Sequence, residues 1–285
     1  QISPFPFRSR SQPHINAMSA TLLPTNVSNS GGNARWAEGK VALVTGATKG
    51  IGFSIAERLG LSGAHVVICS RDQKNVDAAV KQLEAKKIRV TGLAIHVGTM
   101  EARNKLVKAT VEKTGKIDIL VSNVAVNPVF GPMLKVTDEK SWDKVFDVNV
   151  KSHFFLVKEC LPYMSRGSSV LIVSSYTGYT PQPLLGAYSV SKTSLISLTK
   201  VLGTELAPKG IRINALAPGV IKTKFSEALW KDKDPESDAQ LASIPMGRYG
   251  DPDEVGALGC FLCSNDASYI TGETIVVAGG LQSRL

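Results

Sequence analysis

Seven short runs rich in β-branched and apolar residues recur along this chain, and that rhythm constrains its fold more than any other feature. They fall at 41–45, 65–70, 90–95, 117–122, 169–174, 211–217 and 274–278. Longer stretches with helical spacing lie between them, as at 51–61, 75–85 and 191–206. Strands that are apolar throughout, rather than alternating, belong to a sheet covered on both faces. Separated by helices, they imply right-handed crossovers and parallel pairing. The expected fold class is α/β: a doubly wound Rossmann fold, a seven-stranded parallel sheet with helices on both faces. No internal repeat and no second domain is visible, so residues 38–285 read as one catalytic-sized unit.

Residues 1–37 differ in texture. They are rich in Ser, Pro, Asn and Gly, contain no acid and show no sustained period. They read as a disordered tail or leader, since Pro4, Pro6 and Pro13 would break an amphipathic helix there.

Composition narrows the class of function. Apolar residues make up 43% of the 285, which excludes a disordered chain. Every apolar run is interrupted well before the roughly 18 residues that a membrane-spanning helix needs. The net charge of +9 comes without a block of like charges and without aromatic residues interleaved among cations, so nucleic acid is not the expected partner. Cys260 and Cys263 form a C-x-x-C, but no second pair and no histidine lies near them in sequence, and their surroundings read as a buried helix. They are expected to pack as small apolar groups, and no metal site is expected.

Two segments carry the chemistry of a cofactor. The first strand runs through Thr45-Gly46-Ala47-Thr48-Lys49-Gly50-Ile51-Gly52 into a helix. Glycines there permit a tight turn and close backbone approach, and the helix N-terminus offers free N–H groups to phosphate. The spacing is G-x-x-x-G-x-G rather than G-x-G-x-x-G, so the strand–turn–helix context carries the argument. After the second strand, where an NAD site would place an acid, stand Ser70 and Arg71. Arginine can clamp a 2′-phosphate that a carboxylate would repel, and Lys49 adds a second cation, so NADPH/NADP is the expected cofactor.

A third segment carries acid–base chemistry. Tyr188-Ser189-Val190-Ser191-Lys192 places a phenol and an ammonium at i and i+4 on one helix face. A nearby cation should draw the phenol down from about 10 toward a useful range. Ser175 follows the buried strand run 170–174, at the end of the sheet where ligands bind.

These elements, with Ser122-Asn123-Val124-Ala125, Asn149 and Pro218-Gly219-Val220-Ile221-Lys222-Thr223, together resemble the classical short-chain dehydrogenases/reductases over roughly residues 38–280. The resemblance implies that Tyr188 donates a proton to a carbonyl oxygen. It further implies that Lys192 lowers the tyrosine pKa and holds the nicotinamide ribose, that Ser175 bonds the carbonyl oxygen, and that Asn149 holds a water. Asn123 would brace the central strands beside the cofactor, while Pro218, Gly219, Ile221 and Thr223 would border the nicotinamide. This sequence departs from the family's usual pattern where Val124-Ala125-Val126 lacks a glycine, where His96-Val97 replaces an acid after the third strand, and where Ser152 replaces a glycine. Further segments, 121–123, 225–230 and 268–274, resemble a branch of peroxisomal NADPH-dependent carbonyl and retinal reductases.

The resemblance also implies a homotetramer. The terminal Ser283-Arg284-Leu285 keeps the small, basic, leucine order of a peroxisomal address, so peroxisomal import is expected, with cytosol or mitochondrion as alternatives. A lid around 223–248 with Trp230 against the substrate is expected. The leading reading is reduction of ketones and aldehydes. Its alternatives are a 3-oxoacyl or hydroxyacyl reductase and a sensor or scaffold that binds NADPH without turnover. A serine hydrolase lacks both a placed histidine and a G-x-S-x-G elbow.

Overall fold

The computed structural model describes residues 35–231 and 235–281. All seven strands form one parallel sheet in the order β3-β2-β1-β4-β5-β6-β7. They are β1 Val41–Thr45, β2 His65–Ser70, β3 Val90–Ala94, β4 Ile119–Ser122, β5 Ser169–Val173, β6 Arg212–Pro218 and β7 Thr274–Val277. The order reverses between β1 and β4. In sheets of this kind ligands bind outside the C-terminal strand ends at that switch point.

Side chains alternate between two apolar layers. Ala42, Val44, Val66 and Ile68 pack on one face with Ile55 and Leu59 of α1 (Gly50–Leu61), Leu83 of α2 (Gln73–Ala85) and Leu262 of α9 (Pro252–Cys263). Leu43, Val67 and Leu120 pack on the other with Leu106 of α3 (Met100–Thr114), Leu156 of α6 (Ser152–Cys160) and Leu195 of α7 (Gly186–Leu206). Two covered faces are why these strands read as continuous apolar runs. A fully buried leucine contributes about 1.5–3 kcal/mol, so the layers specify the register strongly.

Between β4 and α6 run α4 (Met133–Val136), α5 (Glu139–Phe146) and a π-helical turn, Asp147–Lys151. After β6 an irregular stretch includes the short turn Glu227–Leu229 and α8 (Pro235–Ala242). It occupies the region expected to be a lid, of which residues 232–234 lie outside the described residues. Cys263 is buried and Cys260 half-buried, its sulfur 3.6 Å from the Ser62 hydroxyl. Among the described residues no group of His, Cys, Asp and Glu is arranged to hold a metal, and no helix is long and apolar enough to cross a membrane.

Candidate active site

The glycine turn sits at the C-terminal end of β1. Gly46 (φ +61°) and Gly50 (φ +59°) adopt left-handed backbone that a side chain would strain. A Cβ on Gly50 would also stand 3.0 Å from the Thr223 methyl, so Thr223 borders the turn as well. Lys49 takes the N-cap position of α1 without a side-chain cap bond, which leaves the first-turn N–H groups available. Ile51 and Gly52 follow in that turn, and Gly52 packs against the Asn123 amide. This cradle fits the diphosphate of a dinucleotide.

At the end of β2, Ser70 is half-buried and Arg71 exposed. Among the described residues neither Arg71 nor Lys49 has an ion-pair partner. The neighbouring Asp72 is already engaged, because it caps α2 and accepts from the Asn75 N–H at 2.8 Å. Two free cations beside an occupied carboxylate favour a 2′-phosphate over a bare ribose.

Asn123 ties β4 to β1. Its backbone N–H donates to Thr45 Oγ1 at 3.1 Å, and its Nδ2 donates to the Thr45 and Gly46 carbonyls at 3.2 and 3.1 Å. Asn149, in the π-helical turn, clamps Val126 from both sides: its Oδ1 accepts from the Val126 N–H and its Nδ2 donates to the Val126 carbonyl. The same Nδ2 lies 3.1 Å from Ser191 Oγ. Its side chain is therefore committed to protein partners. Pro218 closes β6, and Gly219 donates to the Val277 carbonyl at 2.9 Å. Ile221 is buried, and its carbonyl accepts from the Ser226 hydroxyl.

The proton-handling residues converge beyond β5. Ser175 caps a short turn, Tyr176–Gly178, accepting from the Thr177 N–H at 3.2 Å and the Thr177 hydroxyl at 3.0 Å. Tyr188 and Lys192 lie on one face of α7 and are buried, Lys192 being only 1% exposed. The Lys192 ammonium donates to the Val173 carbonyl at 2.8 Å and stands 5.6 Å from the Tyr188 ring centroid. Burial lowers the Lys192 pKa to about 7. Burial pushes the Tyr188 phenol up to about 12, with contact from the Ser175 hydroxyl pulling the other way.

The direction at Tyr188 corrects the expectation that Lys192 draws the phenol down. Desolvation raises the phenol and only the Ser175 contact opposes it, because a buried site disfavours the charged form.

Two aromatic residues follow β6 in this region. Trp230 Nε1 donates to the Thr223 carbonyl at 3.2 Å, bracing its own loop, while the Phe225 ring approaches Tyr188 with centroids 6.1 Å apart. A histidine not singled out in the sequence completes the interior. His153 of α6 is fully buried; its Nε2 donates to the Val124 carbonyl at 2.9 Å, so its Nδ1 accepts from the Ser122 hydroxyl at 2.8 Å. Ser122 is buried beside it, as is Ser152, one of the departures from the family pattern.

This geometry defines an oxidoreductase of dinucleotide-binding architecture, and the comparisons place it in a family. A family model described as enoyl-(acyl carrier protein) reductase matches residues 46–282. The chain belongs to the short-chain dehydrogenase/reductase family. It is similar to human dehydrogenase/reductase SDR family member 4, 52% identical over 248 residues, covering 86% of this chain and 88% of the relative. The relative of the same description from Caenorhabditis elegans is 48% identical, covering 89% of this chain and 99% of its own length. Among solved structures, a dehydrogenase/reductase from Sinorhizobium meliloti superposes with a TM-score of 0.82 at 30% identity, covering 88% of this chain and 98% of its own. A short-chain dehydrogenase from Burkholderia cenocepacia, solved in complex with NADP, superposes at 0.80 with 28% identity, covering 86% and 98%.

Proposed function

We propose that this protein reduces ketones and aldehydes with NADPH, Tyr188 donating the proton that converts the carbonyl oxygen to an alcohol. The observation that carries the reading is the buried convergence of Tyr188, Lys192 and Ser175 beyond β5, beside a glycine turn flanked by free cations. The nicotinamide cofactor, when bound, supplies the hydride. Ser175 and Tyr188 offer hydroxyls to one substrate oxygen, polarising the carbonyl as negative charge develops on it. A phenol held neutral well above pH 7 keeps its proton available for donation. Asn149 and Asn123 brace the surrounding backbone, and Lys192 would reach the nicotinamide ribose. Arg71 and Lys49 would receive the 2′-phosphate; Pro218, Gly219, Ile221 and Thr223 would border the nicotinamide.

The exposed Phe225 and Met246 beside the site favour apolar carbonyls, including diketones and retinal. A second reading, reduction of a 3-oxoacyl or hydroxyacyl thioester substrate, shares only the acyl-carrier substrate class with the description of the matching family model, which names C=C rather than carbonyl reduction. We also propose a homotetramer, and peroxisomal delivery by an import receptor that reads Ser283-Arg284-Leu285, which lie outside the described residues. A panel of ketones, aldehydes, diketones, retinal and 3-oxoacyl thioesters, run with NADPH and NADH in parallel, tests the function. Absence of turnover on every carbonyl despite NADPH binding would return the chain to a sensor.

A further inference from the structure

At the opposite end of the sheet, where β1 and β2 begin, a cavity of about 330 Å³ opens between the strands and the ends of α2 and α3. Its wall carries six cations, Arg35, Lys40, Lys87, Arg89, Lys113 and Lys116, against one carboxylate, Glu38. Two of the six are neutralised locally, Arg35 by Glu38 and Lys116 by Asp118. Among the described residues Lys40, Lys87, Arg89 and Lys113 have no ion-pair partner. The nearby His65 is lowered by burial and by the Arg89 charge, which favours the neutral imidazole beside these cations.

Cations gathered in a concavity raise the local positive potential and so attract anions. Lys87 sharpens the point. It is the one non-glycine among the described residues with positive φ, at +60°. The turn that ends α2 has the Lys87 N–H on the Glu84 carbonyl and the Ile88 N–H on the Leu83 carbonyl, which makes Lys87 the position where glycine is the usual residue. A lysine there strains the backbone while placing an ammonium on the cavity wall.

We propose that this cavity binds a compact oligophosphate, a second anion site distinct from the cofactor cradle at the other end of the strands. The size is that of a small-molecule site, and the concave form suits a small ligand better than a nucleic-acid strand or a membrane surface. No aromatic ring other than the His65 imidazole lines it, so it offers phosphate recognition without a platform for stacking a base. The site is independent of the carbonyl-reducing reading, since none of its residues belongs to the catalytic or cofactor machinery.

Calorimetric titration of the full chain with inorganic triphosphate at low ionic strength tests the proposal. Wild type should bind. The double variant Lys87→Gly, Arg89→Gln should bind about tenfold or more weakly, two cations being gone from the wall. It should keep its Tm and its turnover, because glycine relaxes the left-handed turn. Lys49→Gln, at the cofactor cradle, should leave this binding in place. No binding by wild type, an unchanged affinity in the double variant, or loss in Lys49→Gln alone would each overturn the assignment. So would tighter binding of a single-stranded oligonucleotide than of triphosphate.

Discussion

The Lys192 ammonium stands over the face of the Tyr188 ring, 5.6 Å from its centroid, and donates to the Val173 carbonyl rather than to the phenol. Both side chains are buried, and burial moves each toward its neutral form: the lysine down to about 7, the tyrosine up to about 12. The phenol therefore keeps its proton across neutral pH. With Tyr188 as the proposed proton donor, that state suits the giving of a proton in reduction.

Tyr188→Phe should keep the fold and NADPH binding but lose about 10²–10⁴-fold in reduction rate, the usual worth of a general acid. Reductive turnover should hold through neutral pH, while oxidation of the alcohol product should rise with pH as phenolate forms. Lys192→Ala should damage kcat and NADPH affinity together; Ser175→Ala should lower kcat with little change in cofactor affinity. Single-turnover reduction, with cofactor binding followed by fluorescence, separates these outcomes. Near wild-type turnover in Tyr188→Phe would remove the tyrosine from the chemistry.

Arg71→Asp should weaken NADPH strongly and leave NADH nearly unaffected. Arg71 is exposed and unpaired among the described residues, so its loss costs the fold little. The adjacent Asp72 is held as the α2 cap and cannot readily take up a ribose hydroxyl instead. Steady-state KM values for both cofactors decide the matter: equal losses would show that Arg71 does not read the 2′-phosphate.

The architecture was legible because covered strands leave long apolar runs, and all seven expected strands agree with the observed ones to within two residues at either end. The start of α7 was not. Periodic apolar spacing began only at 191 and the Tyr188–Lys192 pair called for helix from 188, yet the helix begins at Gly186, a residue whose helical state depends on tertiary packing. The pairing of Tyr188 with Lys192 followed from i,i+4 spacing, but the direction of their pKa shifts depends on how deeply β5 and α7 bury them. The placement of Phe225 near Tyr188 was not legible because the segment after β6 has no period from which a facing could be read. His153 carried no local signal: its partners Ser122 and Val124 lie about thirty residues away and meet it only through the fold.

Assembly should be visible in the sheet edge. β7 pairs with β6 alone and ends the sheet, so its outer hydrogen-bonding groups need cover. Light scattering at micromolar concentration should give four times the 30.4 kDa chain mass. A monomer mass would refute the tetramer.

A fluorescent fusion that leaves residue 285 free should enter peroxisomes, and removal of Ser283-Arg284-Leu285 should return it to the cytosol. Punctate signal that survives the truncation would show that the address lies elsewhere.

His153 makes a prediction about stability below pH 6.5. Burial, reinforced by the nearby Lys192 charge, lowers its pKa from 6.5 to about 3. A histidine depressed on folding binds fewer protons in the folded chain than in the unfolded one. Above pH 6.5 neither state is protonated there and the site contributes no pH dependence. As pH falls from 6.5 toward 3, only the unfolded chain takes up the proton, so stability is lost progressively across that window. Each unit corresponds to about 1.4 kcal/mol, so roughly 2 kcal/mol should disappear between pH 6.5 and 5 from this site. The lowered carboxylates Asp253 and Glu254 titrate below that interval. The half-buried His65 slopes the same way, so the comparison must be made against a variant rather than against a flat line. His153→Gln keeps a donor for the Val124 carbonyl and removes the titration. Urea unfolding of cofactor-free wild type and His153→Gln at pH 6.5 and 5 should show the variant less stable at the higher pH, by about 1 kcal/mol for imperfect hydrogen-bond geometry. It should equal or exceed wild type at the lower pH. Parallel declines in the two proteins would mean that His153 already carries a proton when folded, which would in turn require the Ser122 hydroxyl to accept rather than donate.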